Sequence, residues 1–231
     1  MELNTMHIRL TFTNAVLGTA SGNPELHKTY IASKASDAPS RQEEVDALGV
    51  ETVERKEKNI FSVDADGTPI LWDYQVRGFM KSACSALRTI KGTKSQKVKA
   101  YKKAIDLRMG VFGSASDLTY RKLRLHPIGK MTDCERSLRA QTPMGERTAI
   151  ACSESLPAGT WFECWIKYLD PGDADWIREM LDYGQMNGIG GWRNSGKGSF
   201  VWDELDEHGK VVGGNHQAAV KTQRMTESIW K

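Results

Sequence analysis

The sequence GIGGWRNSGKGSF, which runs from Gly188 to Phe200, holds five glycines in eleven positions. Glycine tolerates positive φ and lets another main chain or a phosphate come close. Arg193 and Lys197 add positive charge that attracts phosphates. A helical pattern precedes the stretch and the strand pattern Ser199–Leu205 follows it, which reverses the strand–loop–helix order of the common nucleotide-binding loops. We expect a loop that binds an anionic chain; the alternative is a glycine turn needed only for packing. Its glycines are Gly188, Gly190, Gly191, Gly196 and Gly198.

This glycine-rich loop lacks the groups that bond-making chemistry requires. No carboxylate, cysteine or histidine lies between Gly184 and Val201. A general base or nucleophile would come from one of those residue types. The sequence therefore predicts that the loop binds its ligand without reacting with it.

Basic residues concentrate in one part of the chain. The net charge of the 231 residues is only +3, but the segment Arg77–Lys130 contains fourteen lysines and arginines against two acids, Asp106 and Asp117. A basic block of that length indicates an anionic partner, most often nucleic acid, although a solvated lysine-rich helix gives the same count. The residues predicted to bind nucleic acid are Arg77, Lys81, Lys97, Lys99, Lys102, Lys103, Arg121, Lys122, Trp192, Arg193, Asn194 and Lys197.

The composition favours a globular cytoplasmic protein. Hydrophobic residues make up 39% and charged residues 26% of the chain, which is ordinary for such proteins. No apolar run reaches the length of a membrane span, and the N-terminus lacks a signal-peptide pattern. The four cysteines show no CxxC spacing, which indicates free thiols in a reducing compartment. Neither these cysteines nor the five scattered histidines form a metal-ligand set, so we expect no metal and no cofactor.

Strand and helix patterns alternate along the chain and predict the α+β class. Tyr74–Ile90 carries apolar residues at helical spacing, and Ser95–Arg108 is predicted as a second, strongly basic helix. The other predicted elements are strands at His7–Phe12, Leu123–His126, Trp161–Leu169 and Ser199–Leu205, hairpins at Ile60–Trp72 and Ser137–Ser153, and helices at Asn23–Ala35 and Asp173–Tyr183.

Aromatic side chains divide into core and surface candidates. Exposed aromatic rings on a sheet can stack the bases of a single strand, whereas Trp176, on a helix with other apolar residues, favours the core. In the strand Trp161–Leu169 only one alternate set of side chains can face inward. The candidates for base stacking are Tyr101, Tyr120, Trp192 and Phe200; core packing is the alternative for Trp192 and Phe200.

Three segments, in a fixed order, resemble a known group of proteins. They are PILWDYQVRG at Pro69–Gly78, LPAGTWF at Leu156–Phe162, and the glycine-rich loop at Gly188–Gly198. Together they resemble the RAMP superfamily of CRISPR effector and processing proteins. The resemblance implies a modified ferredoxin-like (RRM-like) antiparallel sheet with helices on one face and inserted helical and hairpin segments. It also implies one domain over residues 1–205, with an exposed insertion at 36–58, a basic helical insertion at 77–130 and a polar tail at 206–231.

The resemblance also implies a function. Backbone subunits of this superfamily polymerise along a guide RNA. A non-catalytic protein that binds RNA or single-stranded nucleic acid and self-associates, or joins a CRISPR-type complex, is therefore the expectation. RNA-cleaving backbone subunits carry a catalytic aspartate near the first strand and helix, whereas residues 17–24 contain no acid.

Two alternatives stay open. The chain is similar to phage-encoded, stand-alone relatives, so an anti-CRISPR or decoy protein that mimics a subunit is one alternative. Processing nucleases of the superfamily use a histidine, sometimes with tyrosine or lysine. His27 with Tyr30, or else His7 or His126, would suit a metal-independent endoribonuclease, which is the other alternative.

Overall fold

The computed structural model describes residues 3–27, 46, 58–142 and 145–216. Antiparallel sheets combined with helices confirm the predicted α+β class. Its strands are β1 (Asn4–Phe12), β2 (Val16–Leu17), β3 (Ala20–Ser21), β4 (Asn59–Ile60), β5 (Ser62–Val63), β6 (Pro69–Trp72), β7 (Met109–Phe112), β8 (Lys122–Arg124), β9 (Thr132–Thr142), β10 (Gly145–Leu156), β11 (Trp161–Tyr168), β12 (Phe200–Leu205) and β13 (Val211–Gly214). The α-helices that lie wholly within the described residues are α1 (Asp73–Leu87), α2 (Tyr101–Arg108) and α3 (Ala174–Asp182).

The central sheet has the strand order β13-β12-β1-β11-β7, and all neighbouring strands in it are antiparallel. Burial alternates along β11, as the pleat of a strand with one covered face requires. Phe162 and Ile166 are fully buried on the inner face, whereas Trp161 and Trp165 face the other way. The alternation expected for this strand is therefore confirmed.

Helices α1 and α3 cover the inner face of the central sheet. Helix α1 presents Val76, Phe79 and other apolar residues at helical spacing, and its Phe79 ring meets Phe200 edge to face at 4.9 Å between ring centroids. Trp176 of α3 is 2% exposed, and its indole N–H donates to Ser95 Oγ at 3.2 Å. Core packing is thus confirmed for Trp176, and Phe200, also a candidate for base stacking, lies in the core.

Two further sheets, one of five strands and one of three, complete the described part of the chain. The long hairpin β9–β10 is joined by β2, β4 and β3, and it extends further than the predicted Ser137–Ser153. Strands β5, β6 and β8 form the other sheet, in which the predicted hairpin at Ile60–Trp72 is confirmed as β5–β6. This small sheet leads directly into α1, because β6 ends at Trp72 and α1 begins at Asp73.

The predicted basic helix Ser95–Arg108 is two elements. A 3-10 turn covers Ser95–Lys97, Val98 is extended, and α2 begins at Tyr101. The carboxylate of Glu179 on α3 accepts hydrogen bonds from the Ser95 backbone N–H at 2.8 Å and from its hydroxyl at 2.6 Å. This tertiary contact caps the turn and separates it from α2. The periodicity of the sequence gives no sign of such a contact, so it predicted one continuous helix.

Two of the expected segments contain elements of the core and of the central sheet. The stretch 77–130 supplies most of core helix α1 and also β7, an edge strand of the central sheet. Part of the expected polar tail, Val211–Gly214, is strand β13. Gly214 fits there because a Cβ at this position would lie 2.2 Å from the Trp202 carbonyl oxygen. The expected insertion 36–58 and the helix Asn23–Ala35 fall mostly outside the described residues, although 24–27 is helical.

Within the described residues, no helix is long and apolar enough to span a membrane.

Candidate nucleic-acid interface

The neck of the glycine-rich loop is held by main-chain contacts that only glycine permits. A Cβ on Gly188 would lie 1.7 Å from the Gly198 carbonyl oxygen, and one on Gly198 would lie 1.8 Å from the Ile189 carbonyl oxygen. The Gly198 N–H donates to the Ala15 carbonyl at 2.9 Å, which ties the loop to the segment after β1. The packing explanation therefore accounts for these two glycines, and the loop leaves the core as a fixed element.

The tip of this loop projects outward and is strained. Trp192 has φ +54°, a left-handed conformation that is costly for a residue with a bulky side chain. The guanidinium of Arg136 on β9 lies 5.2 Å from the Trp192 ring centroid, within cation–π range. Arg193 and Asn194 beside it are exposed, and neither Arg193 nor Lys197 forms an ion pair within the described chain. The tip thus presents a partly exposed ring and two cations.

A cleft of about 1000 Å³ opens between the start of α1, the small sheet and the glycine-rich loop. Helix α1 supplies Arg77 and Lys81, the segment before β8 supplies Arg121, and the loop supplies Gly190 and Arg193. The fold therefore brings together predicted residues that are far apart in sequence. We call this opening the basic cleft.

One buried carboxylate organises the floor of the basic cleft. Asp73 is 6% exposed, and its two carboxylate oxygens accept from the Arg77 guanidinium at 2.7 Å and from Arg121 Nε at 3.0 Å. A guanidinium has five N–H donors, so the contact with Asp73 leaves donors on Arg77 for a ligand. The three side chains carry a net charge of +1, and the carboxylate fixes both guanidinium planes, an arrangement suited to phosphate oxygens.

Two predicted residues contribute less positive charge than the sequence suggests. Lys81 pairs with Asp106 of α2 at 2.5 Å between Nζ and Oδ1. Lys122 lies 3.8 Å from an Asp64 oxygen and 5.9 Å from the centroid of the Trp72 ring. These contacts offset the charges of both lysines.

Four lysines form a separate exposed group, which we call the lysine ridge. Asp106 lines the basic cleft and lies three and four residues after two of these lysines, so that they share a flank of α2 with it. Lys102 and Lys103 of the ridge therefore lie next to the rim of the cleft. Within the described residues none of its side chains forms an ion pair. The members are Lys97, Lys99, Lys102 and Lys103.

The remaining aromatic candidates have partners of their own. Tyr101 is 7% exposed, with Arg88 5.3 Å from its ring centroid. The Tyr120 hydroxyl donates to Asp64 at 3.2 Å. Of the four rings predicted for base stacking, Trp192 is therefore the one that the structure leaves most accessible.

Sequence reasoning overlooked the outer face of the central sheet. Trp161 stacks on His126 at 4.1 Å between ring centroids, and Trp165 stacks on His7 at 4.3 Å. Between the two tryptophans, Glu163 accepts from the Arg9 guanidinium. The alternating pattern of β11 could have revealed this face. The side chains of β11 that point inward are all apolar or aromatic, and they leave Trp161 and Trp165 on the outer side.

The three candidate catalytic histidines occupy different places. His27 is 2% exposed and lines the basic cleft, where burial lowers its pKa. His7 and His126 stack on the outer face of the central sheet; burial first, and then the positive charges of Arg124 and Arg9, lower the pKa of His126. Tyr30 lies outside the described residues. In the described part of the chain no cluster of His, Cys, Asp and Glu could hold a metal ion.

These features define an α+β protein with a basic cleft beside a fixed glycine-rich loop. No protein-family model matches the chain, and no curated protein matches it significantly. Among solved structures, a chain in the cryo-EM structure of the type III-B Cmr-beta bound to cognate target RNA is similar, with 9% identity and a TM-score of 0.49 over 86% of this chain and 58% of that one. A chain of a type IV-B CRISPR complex is similar with 11% identity and a TM-score of 0.42, over 88% of this chain and 91% of that one. The protein therefore spans little more than half the length of the first of these chains.

Proposed function

We propose that the protein binds single-stranded nucleic acid, RNA in particular, without cleaving it, on a ferredoxin-like core of the RAMP type. The strand travels along the basic cleft, past the tip of the glycine-rich loop, and onto the lysine ridge. Several copies assemble side by side on a long strand, as the resemblance to backbone subunits implies.

The order of the elements supports the ferredoxin-like core. The core elements follow one another along the chain as strand, helix, strand, strand, helix and strand. They are β1, α1, β7, β11, α3 and β12. In space the strands run β12-β1-β11-β7, and both helices lie on one face. The other strands and the hairpin β9–β10 are additions to this unit.

The observation that carries the function is the convergence of cations around the basic cleft. Arg77 and Arg121 are fixed by Asp73, Arg193 faces them from the glycine-rich loop, and the lysine ridge adds four ammonium groups without ion pairs in the described chain. Such an arrangement contacts phosphates, and phosphate contacts give affinity with little dependence on sequence.

Salt dependence provides the quantitative test. For single strands, each phosphate contact contributes about 0.7 to the slope of log affinity against log salt. With about four contacts, affinity falls roughly 50-fold between about 50 and 200 mM salt. Fluorescence anisotropy with a labelled oligonucleotide of about ten nucleotides measures both quantities.

The lysine ridge supplies the first set of variants. Changing Lys97, Lys99, Lys102 and Lys103 to Glu should weaken binding of any sequence and flatten the salt slope. Lys102→Glu alone is compared with Lys210→Glu, a charge reversal in the exposed turn between β12 and β13, which we expect to be nearly silent. If both single variants bind equally and the salt slope of the fourfold variant is unchanged, the lysine ridge does not contact the nucleic acid.

The glycine-rich loop supplies a second set. The double variant Arg193→Ala, Lys197→Ala should melt like the wild type, because neither side chain forms an ion pair in the described residues. It should nevertheless lose affinity and flatten the salt slope by about 0.7 for each contact removed. Unchanged affinity with reduced stability would make the loop purely structural.

A second function, metal-independent RNA cleavage, is favoured by one observation. His27 lines the basic cleft, and burial lowers its pKa, so its ring is neutral near pH 7 and able to accept a proton. Labelled RNA incubated with the protein in EDTA tests this function. If the wild type cleaves the RNA at specific sites and His27→Ala does not, the protein is a nuclease and the non-catalytic proposal is wrong. If the RNA stays intact, the non-catalytic proposal is supported.

A further inference from the structure

The outer face of the central sheet carries two rows of stacked side chains. In one row, Trp161 lies between the guanidinium of Arg9, 4.8 Å from its ring centroid, and the imidazole of His126, at 4.1 Å and 16° between ring planes. In the other row, His7 stacks on Trp165 at 4.3 Å and 10°. The helices of the core cover the opposite face, so these rings belong to no part of the core.

A hollow of about 190 Å³ separates the two rows. It exists because β7 pairs with β11 only as far as Trp165, and the next partner of β11 on that side is His126, opposite Trp161. Between these two points the chain turns away at Gly113, where a Cβ would lie 2.0 Å from the Lys122 carbonyl oxygen. Glu163 therefore borders an opening on one side and β1 on the other. The hollow is lined by Gly113, Arg124, His126, Trp161, Glu163 and Trp165.

Glu163 is held in place but keeps hydrogen-bonding capacity. Its Oε1 accepts from Arg9 Nε at 3.0 Å and from Arg9 Nη2 at 2.6 Å, and its Oε2 lies 3.0 Å from His7 Nε2. A carboxylate offers about four lone-pair positions. Three are used within the protein, so Oε2 of Glu163, a residue of the lining, can accept from one further donor.

The size and charge of the hollow select its occupant. Its volume is below the roughly 300 Å³ at which pockets for drug-sized ligands begin, so it suits one ring system, and a whole nucleotide is too large. Arg9 already offsets the charge of Glu163. Asp64 and Asp66 pair in the same way with Arg124 of the lining, so the hollow favours an ionic guest of neither sign. A neutral, flat ring with an N–H donor on its edge fits both conditions.

We propose that this hollow binds one unstacked nucleobase that carries an exocyclic amino group, with Glu163 accepting its N–H and the flanking rings contacting its faces and edges. Carboxylates read the cytosine amino group in this way in other complexes. This inference rests on the proposed function and deepens it, since it adds base selection to a strand held by its phosphates elsewhere.

The test compares oligomers of about ten nucleotides with the unmodified protein at one salt concentration. Oligocytidine should bind at least about 5-fold more tightly than oligouridine of equal length, given the usual contribution of one hydrogen bond to a charged group. An abasic chain should bind more weakly still, because it also lacks the stacked base. Oligomers of N4,N4-dimethylcytidine, which lack the amino N–H, should bind like oligouridine. Equal binding of all four, with a steep salt slope, overturns the inference and leaves the proposed function standing.

A variant then locates the selectivity. The double variant Trp161→Ala, Trp165→Ala should lose the preference for oligocytidine and keep the salt slope, because the lysine ridge and the basic cleft are unchanged. The exposed His208, in the turn after β12, provides the control His208→Ala, which should keep the preference. A preference that persists in the folded double variant places base selection elsewhere and overturns the inference. Failure of every oligomer to bind the wild type would refute the proposed function itself.

Discussion

The substitution Asp73→Asn should lower stability and raise affinity for nucleic acid at the same time. The Asp73 carboxylate accepts from Arg77 at 2.7 Å and from Arg121 at 3.0 Å. Hydrogen bonds to charged groups contribute about 1.5–3 kcal/mol each, and asparagine keeps one acceptor oxygen. We therefore expect the free energy of unfolding to fall by about 2 kcal/mol. The loss stays below the roughly 3–5 kcal/mol of a fully buried pair, because the side chains of Arg77 and Arg121 are 27% and 25% exposed and solvent screens them.

Affinity should change in the opposite direction. Removing one negative charge from the floor of the basic cleft frees one cation for a phosphate, so the salt slope should steepen by about 0.7. Urea melts measure stability, and anisotropy titrations at several salt concentrations measure affinity and slope.

Asp106→Asn is the matched control, since it frees another cation that lines the same cleft. Its pair with Lys81 is at the surface, where Asp106 is 46% exposed, so the loss of stability should be at most about 1 kcal/mol. The salt slope should steepen as it does for Asp73→Asn. If both variants fold but bind no more tightly, with unchanged slopes, the basic cleft does not hold the strand.

Three further predictions test the fold. Gly188→Ala should destabilise severely in thermal melts, since its Cβ would lie 1.7 Å from a carbonyl oxygen, whereas Gly78→Ala, on an open flank of α1, should stabilise by about 0.5–1 kcal/mol. Phe162→Ala should cost about 3–5 kcal/mol, and clearly more than Trp161→Ala, because only Phe162 is fully buried. Burial lowers the pKa of His27, so stability should fall as pH drops below about 6.5, where the unfolded chain binds a proton that the folded chain resists; His27→Gln should reduce this dependence.

The elements that periodicity predicted are those with strong local patterns. Strand Trp161–Leu169 and helix Tyr74–Ile90 carry long apolar sets, and both are present with nearly the predicted bounds. Strand β7 at Met109–Phe112 has four residues, includes a glycine and follows α2 without a turn. Its place in the sheet depends on pairing with β11, which no local pattern records.

The sequence predicted that the site is basic, but it did not predict which cations are paired with acids, because those pairs also form between distant parts of the chain. Counting residues in Arg77–Lys130 gives the basic block but omits acids outside that window. Asp73 on the floor of the cleft pairs with two of its arginines, and Asp175 of α3 pairs with Lys94. Such tertiary contacts decide which cations among the described residues remain without ion pairs. The sequence alone does not show which cations these are.

Mapping the path of a bound strand shows whether the lysine ridge and the glycine-rich loop hold the same nucleic-acid chain. An oligomer that carries 4-thiouridine is cross-linked to the protein by light, and the modified peptides are identified by mass spectrometry. We expect cross-links in the lysine ridge and at the tip of the glycine-rich loop, in peptides containing Lys102 and Trp192. A strand that binds but cross-links at neither place would contradict the proposed path.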